Sequence, residues 1–194
     1  MHTVIYLIRH GETDWNLARR IQGHSDIELN QEGVSQAQKV AARFQGEPIS
    51  AVYASDLIRA KKTAECIAEA IGSDTVFTLP TLRERCYGDW EGLTYEEIRA
   101  RFKDMDETAC GIETMGEMQK RASEALTEIA VKHAGQSVVV VSHGGLINSF
   151  LLDVTKGEQG TGITRIDNTG INRLHYTEEQ WEVVAINDTA HLEG

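Results

Sequence analysis

The sequence predicts an α/β protein, a three-layer αβα sandwich with a mainly parallel central sheet. Short, continuous, β-branched runs at residues 3–8 and 137–142 are typical of strands that are covered on both faces. Segments with apolar residues at helical spacing lie between the strand-like runs. Strands that alternate with helices favour a parallel sheet with helices on both sides.

The other strands are predicted from apolar, β-branched runs that are less continuous than the first two. They comprise residues 50–54, 75–79, 170–176 and 181–186. A polar turn joins the last two runs, so they are expected to be neighbouring strands.

Four helices are predicted between the strands. Asn30 can cap the first, and the second follows Ser55. Residues 94–97 and 114–117 have the spacing of capping boxes, and the helix that starts at the second box should end at Gly135. The apolar stripes of the first two helices comprise Val34, Ala37, Ala41 and Phe44, and Leu57, Ala60, Ala64, Ile67 and Ile71.

Size and charge limit the classes of protein to consider. With 194 residues and 41% hydrophobic content, the chain can bury one core, so we expect a single domain over residues 1–194. A formal charge of -11 and a pI near 5.1 disfavour nucleic acid and anionic membranes as partners, because phosphate backbones bind clustered Lys and Arg.

The cysteines and the apolar segments indicate in which cellular compartment the protein is expected. Cys66, Cys86 and Cys110 are odd in number and widely spaced, so they suggest neither a disulfide framework nor a metal site. No export signal or apolar run of membrane-spanning length is evident. We expect a soluble cytoplasmic protein, present as a monomer or homodimer.

Two of the predicted strands end in polar motifs, at residues 9–13 and 142–145. In open α/β sheets, ligands bind at the carboxyl ends of the strands. Arg9 lies in the first motif and Arg59 lies one turn into a helix; both can hold phosphate oxygens bidentately without a metal. His10 can act as a nucleophile through a neutral imidazole, and Gly11 would let the backbone approach a phosphate closely. Taken singly, each residue also suits a structural role.

Together these residues resemble the histidine phosphatase superfamily, in the branch named after cofactor-dependent phosphoglycerate mutase. Residues 9–16 are similar to its signature almost letter for letter. Further matching blocks, in family order, start at Gly23, Ser55, Leu82 and Val141. The pattern is most similar to that of the broad-specificity bacterial phosphatases, and it implies a phosphoglycerate mutase-like fold.

The resemblance implies a role for each matching residue. His10 would take the phosphoryl group; Arg9, Arg59 and His143 would bind its oxygens. Glu84 would protonate the leaving alcohol and then activate water, with Glu12 as the alternative proton donor. Asn16 and Gln22 would lie near the phosphate. The implied substrate is a small phosphorylated metabolite, and no metal or other cofactor is implied.

The chain departs from the family pattern beside the expected site. Cys86 stands where the mutases carry His, and residues 110–114 replace a Pro-Gly-Gly-Glu-Ser turn. These changes fall at or beside residues 75–111, which we expect to form a substrate rim over the sheet's carboxyl edge. Tyr87 and Trp90 could contact the substrate there, although packing of the rim loops is the commoner role for such aromatics.

Other functions fit the sequence less well. A serine nucleophile elbow would need Gly where Val140 stands, and the phosphate-binding loop of nucleotide hydrolases is absent. A metallophosphatase would need a clearer set of His and carboxylate ligands. A silent phosphate-binding module would not need both His10 and Glu84.

A phosphoglycerate mutase is the alternative within the same family. A mutase must shield its phosphoenzyme from water. Residues 102–114 form a segment that is too short for a substantial lid, and only residues 187–194 follow the last predicted strand, which is short for a tail that covers the site. The sequence therefore favours hydrolysis over isomerisation.

Overall fold

The computed structural model describes residues 2–103 and 106–193. Within these residues six strands form one sheet in the order β3-β2-β4-β1-β5-β6. Their bounds are β1 (Thr3–Arg9), β2 (Ile49–Ala54), β3 (Phe77–Thr78), β4 (Ser137–Ser142), β5 (Ile171–Thr177) and β6 (Gln180–Asp188). The first four pair in parallel, and β5 runs antiparallel to both neighbours, so the predicted mainly parallel sheet is confirmed.

Six α-helices lie within the described residues. They are α1 (Asp14–Leu17), α2 (Gln31–Arg43), α3 (Ile58–Ala70), α4 (Tyr95–Arg101), α5 (Met115–Lys132) and α6 (Gly144–Val154). One apolar cluster joins α5 and α6 to one face of the sheet, and a second joins α2 and α3 to the other. β1 and β4 lie at the centre and contribute side chains to both clusters, which explains why their sequences are apolar without alternation.

Helix starts were predicted well because capping is a local interaction. The Asn30 side chain accepts a hydrogen bond from the Gly33 N–H at 2.8 Å, and both predicted capping boxes, at Thr94 and Thr114, are formed. Val34, however, is 44% exposed, so its assignment to the buried stripe of α2 is wrong. The buried face of α2 is instead formed by Gly33, Gln36, Ala37, Val40 and Ala41.

Other boundaries differ from the prediction where distant contacts decide them. α3 starts at Ile58, whose N–H donates to the distant Asp26 carboxylate at 2.7 Å. The predicted strand at residues 75–79 shrinks to Phe77–Thr78, both exposed at the sheet edge, because Pro80 starts a 3₁₀ turn. α5 ends at Lys132 rather than Gly135. No helix of the described residues is long and apolar enough to cross a membrane.

Candidate active site

The two polar motifs at strand ends meet, as the sequence predicted. β1 and β4 are adjacent with Arg9 opposite Ser142, and the His10 N–H donates to the Ser142 carbonyl oxygen at 3.0 Å. A cleft of about 670 Å³ opens at this edge of the sheet. Its lining includes Arg9, His10, Asn16, Gln22, Arg59 and Glu84.

The rings of His10 and His143 lie side by side, with 5.1 Å between their centroids. His10 is only 3% exposed and His143 is fully buried. Burial, reinforced by the charges of Arg59 and Arg9, holds the pKa of each imidazole well below its usual range. Both histidines are therefore neutral at neutral pH.

The tautomer of His10 follows from one short hydrogen bond. Its Nδ1 lies 2.6 Å from the Gly11 carbonyl oxygen, and a carbonyl can only accept, so Nδ1 carries the proton. The lone pair of the neutral ring then lies on Nε2. This arrangement prepares Nε2 as a nucleophile.

The two arginines are anchored by backbone carbonyls. Arg59 donates to the carbonyl oxygens of Ser25 and Gly23, each at 2.8 Å, and Arg9 donates to that of Ile166 at 2.7 Å. Within the described residues, the buried Nε of each arginine has no hydrogen-bond partner. Burial lowers the pKa of Arg59 to about 10, so the guanidinium stays charged at neutral pH. These unused donors can bind the oxygens of an anion.

Glu84 reaches the cleft at the start of α6. Its Oε2 accepts from the Gly145 N–H at 2.9 Å and its Oε1 from the Arg85 N–H at 2.8 Å. A Cβ at position 145 would collide with Oε1, so the close approach requires glycine there. Glu12 is not among the residues that line the cleft, and it accepts from the Asn30 amide at 3.0 Å.

Asn16 and Gln22 present amide groups to the cleft. The Thr13 hydroxyl lies 3.1 Å from Asn16 Oδ1 and 2.8 Å from Gln22 Oε1, and the Thr13 N–H also donates to Asn16 Oδ1. Since the amide oxygens are used in this way, the NH₂ groups are the ends that can donate to a bound phosphate.

Gly11 also has a packing role that the sequence did not suggest. The structure places Gly11 against the start of α2, where a Cβ would lie 2.5 Å from the Gly33 carbonyl oxygen. A Cβ on Gly33 would in turn collide with the Glu12 backbone. Packing of the loop on α2 is therefore one reason for a glycine at this position, and a close approach of phosphate to Gly11 stays a prediction.

Sequence reasoning missed much of the mouth of the cleft. The residues that it did not single out include Trp15, Arg19, Arg20, Tyr95 and Arg165. Arg19 has a φ of 52°, in the left-handed region, so an unusual turn presents its side chain. Of the two rim aromatics, Tyr87 lines the cleft and Trp90 does not. The pair Arg19–Arg20, three residues after the end of the signature at Asn16, was the available signal for a basic mouth of the cleft.

Cationic side chains predominate in the lining of the cleft although the protein is acidic, and two of them, Arg20 and Arg165, are paired with Glu97 and Asp167. Five arginines line the cleft, and Glu84 is the one carboxylate among the described residues that line it. No group of three His, Cys, Asp or Glu side chains within the described residues could hold a metal ion.

A neutral buried histidine between arginines, at the carboxyl edge of a parallel sheet, is the kind of site found in enzymes that bind and transfer phosphoryl groups. The family model of the histidine phosphatase superfamily (branch 1) matches residues 5–189, and the chain belongs to this superfamily. The resemblance noted from the motifs is thereby confirmed.

Relatives with different names are similar over nearly the whole chain. Phosphoglycerate mutase-like protein 4 of Arabidopsis thaliana is 40% identical, covering 97% of this chain and 86% of the relative. Metal-independent phosphoserine phosphatase of the same plant is 37% identical, covering 98% and 83%. A mutant phosphoserine phosphatase of Entamoeba histolytica, solved with phosphoserine, is 30% identical with a TM-score of 0.83, covering 98% and 99%.

Proposed function

We propose that the chain hydrolyses small phosphate monoesters through a phosphohistidine on His10. The observation that carries this proposal is the fixed tautomer of His10, with Nδ1 held by Gly11 and a nucleophilic Nε2 beside two anchored arginines. Family membership and the phosphatase relatives support the same activity.

In the first step Nε2 of His10 attacks phosphorus while the bond from phosphorus to the ester oxygen breaks. The bond's electron pair goes to that oxygen, and the carboxyl group of Glu84 donates the proton that makes the leaving alcohol. Arg9, Arg59 and His143 bind the nonbridging oxygens, where charge gathers in phosphoryl transfer. Asn16 and Gln22 add neutral donors.

In the second step water attacks the phosphohistidine. The Glu84 carboxylate takes a proton from the water, the phosphorus–nitrogen bond breaks, and its electron pair returns to Nε2. Inorganic phosphate leaves, and His10 and Glu84 regain their starting states. One carboxyl group can serve both steps because the first leaves it deprotonated. The charge stabilisation comes from arginine, so no divalent metal is needed.

The substrate is a small phosphorylated metabolite, and the cleft favours one with a second acidic group. Arg19 and Arg165 stand at the mouth, and the side chain of Arg165 is 87% exposed. The phosphoserine bound by the Entamoeba histolytica relative carries such a group. Residues 75–111 contribute Glu84, Tyr87 and Tyr95 to the lining, in keeping with a substrate rim. A cytoplasmic location, a single domain, and a monomeric or homodimeric state stay predictions.

Trapping the intermediate tests the mechanism. The enzyme is mixed with a radiolabelled phosphate monoester in EDTA and quenched within milliseconds. We expect protein-bound phosphate that is labile in acid and stable in base, and its complete loss in His10→Ala. His2→Ala, at an exposed histidine, is the matched control and should label normally. Label that persists in His10→Ala would refute the assignment, and a silent binding module would give neither label nor phosphate release.

A further inference from the structure

The position of Glu84 needs an explanation that secondary structure does not supply. Glu84 lies between the 3₁₀ turns Pro80–Leu82 and Gly88–Trp90, in a segment without helix or strand. A general acid must nevertheless stay within hydrogen-bond reach of the leaving oxygen. Some other contact therefore has to hold this segment against α6.

Arg121 of α5 supplies that contact. Its Nη1 donates to the carbonyl oxygens of Thr81 at 2.9 Å and Arg83 at 2.7 Å, and its Nη2 donates to that of Glu84 at 2.8 Å. Its Nε and Nη2 also bind the Glu113 carboxylate at 2.6 and 2.8 Å. All three nitrogens of the guanidinium are thus used, in the planar geometry that lysine cannot reproduce.

Glu113 holds the same segment from the other side of Glu84. Its Oε2 accepts from the Cys86 N–H at 3.1 Å, and its carbonyl oxygen accepts from Arg85 Nε at 2.7 Å. The side chains of Arg121 and Glu113 are only 20% and 15% exposed. The pair is thus partly buried and bonded on both sides of the proposed acid.

Neither partner is among the residues that line the cleft. Arg121 and Glu113 line a separate groove of about 620 Å³, together with His24, whose Nε2 lies 2.8 Å from the Glu84 carbonyl oxygen. We infer that Arg121, paired with Glu113, is a positioning residue that keeps the Glu84 carboxylate at the start of α6. This inference rests on the proposed catalytic role of Glu84.

A second effect of Arg121 has to be separated from positioning. Burial is the main cause of the lowered pKa of His143, and the charge of Arg121 is the weakest of the cationic influences that add to it. Arg121→Lys keeps this charge but cannot bridge three carbonyls and a carboxylate. If positioning is what matters, lysine should not rescue the methionine variant.

The experiment compares Arg121→Met, Arg121→Lys, Glu84→Gln and the double variant Arg121→Met with Glu84→Gln. kcat/KM is measured on glycerol 2-phosphate, whose alkoxide needs a proton, and on p-nitrophenyl phosphate, whose leaving group needs little. We expect Arg121→Met and Arg121→Lys to lose about 10–100-fold on the first substrate and less than about threefold on the second. In the Glu84→Gln background the further loss should be less than about threefold on either substrate.

Lys120→Met, at the exposed neighbouring position on α5, is the matched control and should behave as wild type. If Arg121→Met does not fold, Arg121→Lys and Glu113→Gln carry the same comparison. The inference would be overturned if Arg121→Met lost kcat/KM equally on both substrates, or if the losses of the two single variants multiplied in the double variant. Wild-type kcat/KM in Arg121→Lys would also overturn it. Glu84→Gln alone tests the underlying role, because an absence of leaving-group dependence there would refute Glu84 as the acid, whatever Arg121 does.

Discussion

At the scale of residues, the buried histidines His10 and His143 have proposed roles in the chemistry and also reduce stability in acid. His10 and His143 are neutral because burial and nearby arginines lower their pKa values, and the proposed attack on phosphorus requires a neutral His10. In the unfolded chain the same side chains titrate near 6.5. Acid therefore protonates the unfolded state before the native state.

This difference predicts how stability depends on pH. Below about pH 6.5 the unfolded chain binds more protons than the native one, so the free energy of unfolding should rise with pH and fall as the solution is acidified toward pH 5. Each buried histidine can contribute up to about 1.4 kcal/mol per pH unit in this window. Urea unfolding at several pH values measures the slope.

Substitution assigns the slope to particular residues. His175 and His191 also have lowered pKa values, caused first by burial, so the wild-type slope is shared. His143→Gln should reduce this slope by the share of one buried histidine. A slope unaltered by His143→Gln would mean that this imidazole is protonated in the native state.

The candidate site residues that belong to sequence motifs could be predicted from the sequence. The contacts that hold these residues in place could not. His10, Arg59 and Glu84 line one cleft as expected. The hydrogen bond from Arg9 to the Ile166 carbonyl oxygen joins residues that are 157 positions apart. The local sequence around either residue does not predict this contact. The role of Arg121 was missed for the same reason, because its hydrogen-bond partners are distant in the sequence. A charged residue on a predicted helix is usually taken to face solvent.

At the scale of elements, the loop after β1 packs unusually close to the start of α2. Gly11 and Gly33 allow this approach, because a Cβ on either would meet backbone atoms of the other segment. The sequence showed both glycines but suggested phosphate as the neighbour of Gly11. Which segment a glycine faces depends on the tertiary fold, as does the short length of strand β3. The helices α1 and α6 were not predicted from periodicity.

Gly11→Ala should therefore destabilise the protein by about 1–3 kcal/mol, the usual cost of overpacking against a backbone that cannot retreat freely. Gly116→Ala is the matched control, since Gly116 lies in α5 with open space around its Cβ position. That change should leave stability unchanged or raise it by up to about 1 kcal/mol. Chemical denaturation measures both, and equal stabilities for the two variants would contradict the packing argument.

At the scale of the whole molecule, the charge is divided between surface and cleft. The chain carries a net charge of -11, yet five arginines line the cleft. Net charge alone disfavours nucleic acid as a partner, but it could not reveal a local anion site. Such a field draws in small anions, and salt should weaken their attraction to the exposed Arg165 more than to the buried Arg59.

The whole architecture also bears on the fate of the proposed phosphohistidine. A mutase must exclude water from such an intermediate until the phosphoryl group is returned to a bound phosphoglycerate. In the described part of the chain, the turn Ala190–Leu192 packs toward α2, and His191 Nε2 lies 3.0 Å from the Thr169 hydroxyl. None of these turn residues lines the cleft. The turn Ala190–Leu192 therefore does not cover the cleft.

We therefore expect hydrolysis to outrun isomerisation. With 3-phosphoglycerate, whose carboxylate suits the basic mouth, and a trace of 2,3-bisphosphoglycerate, inorganic phosphate should appear much faster than 2-phosphoglycerate. Phosphorus NMR follows both products in one sample, and His10→Ala should form neither, which excludes a contaminating enzyme. Isomerisation that outpaces phosphate release would make the chain a mutase and would leave the phosphohistidine on His10 intact, because both reactions begin with the same transfer to Nε2.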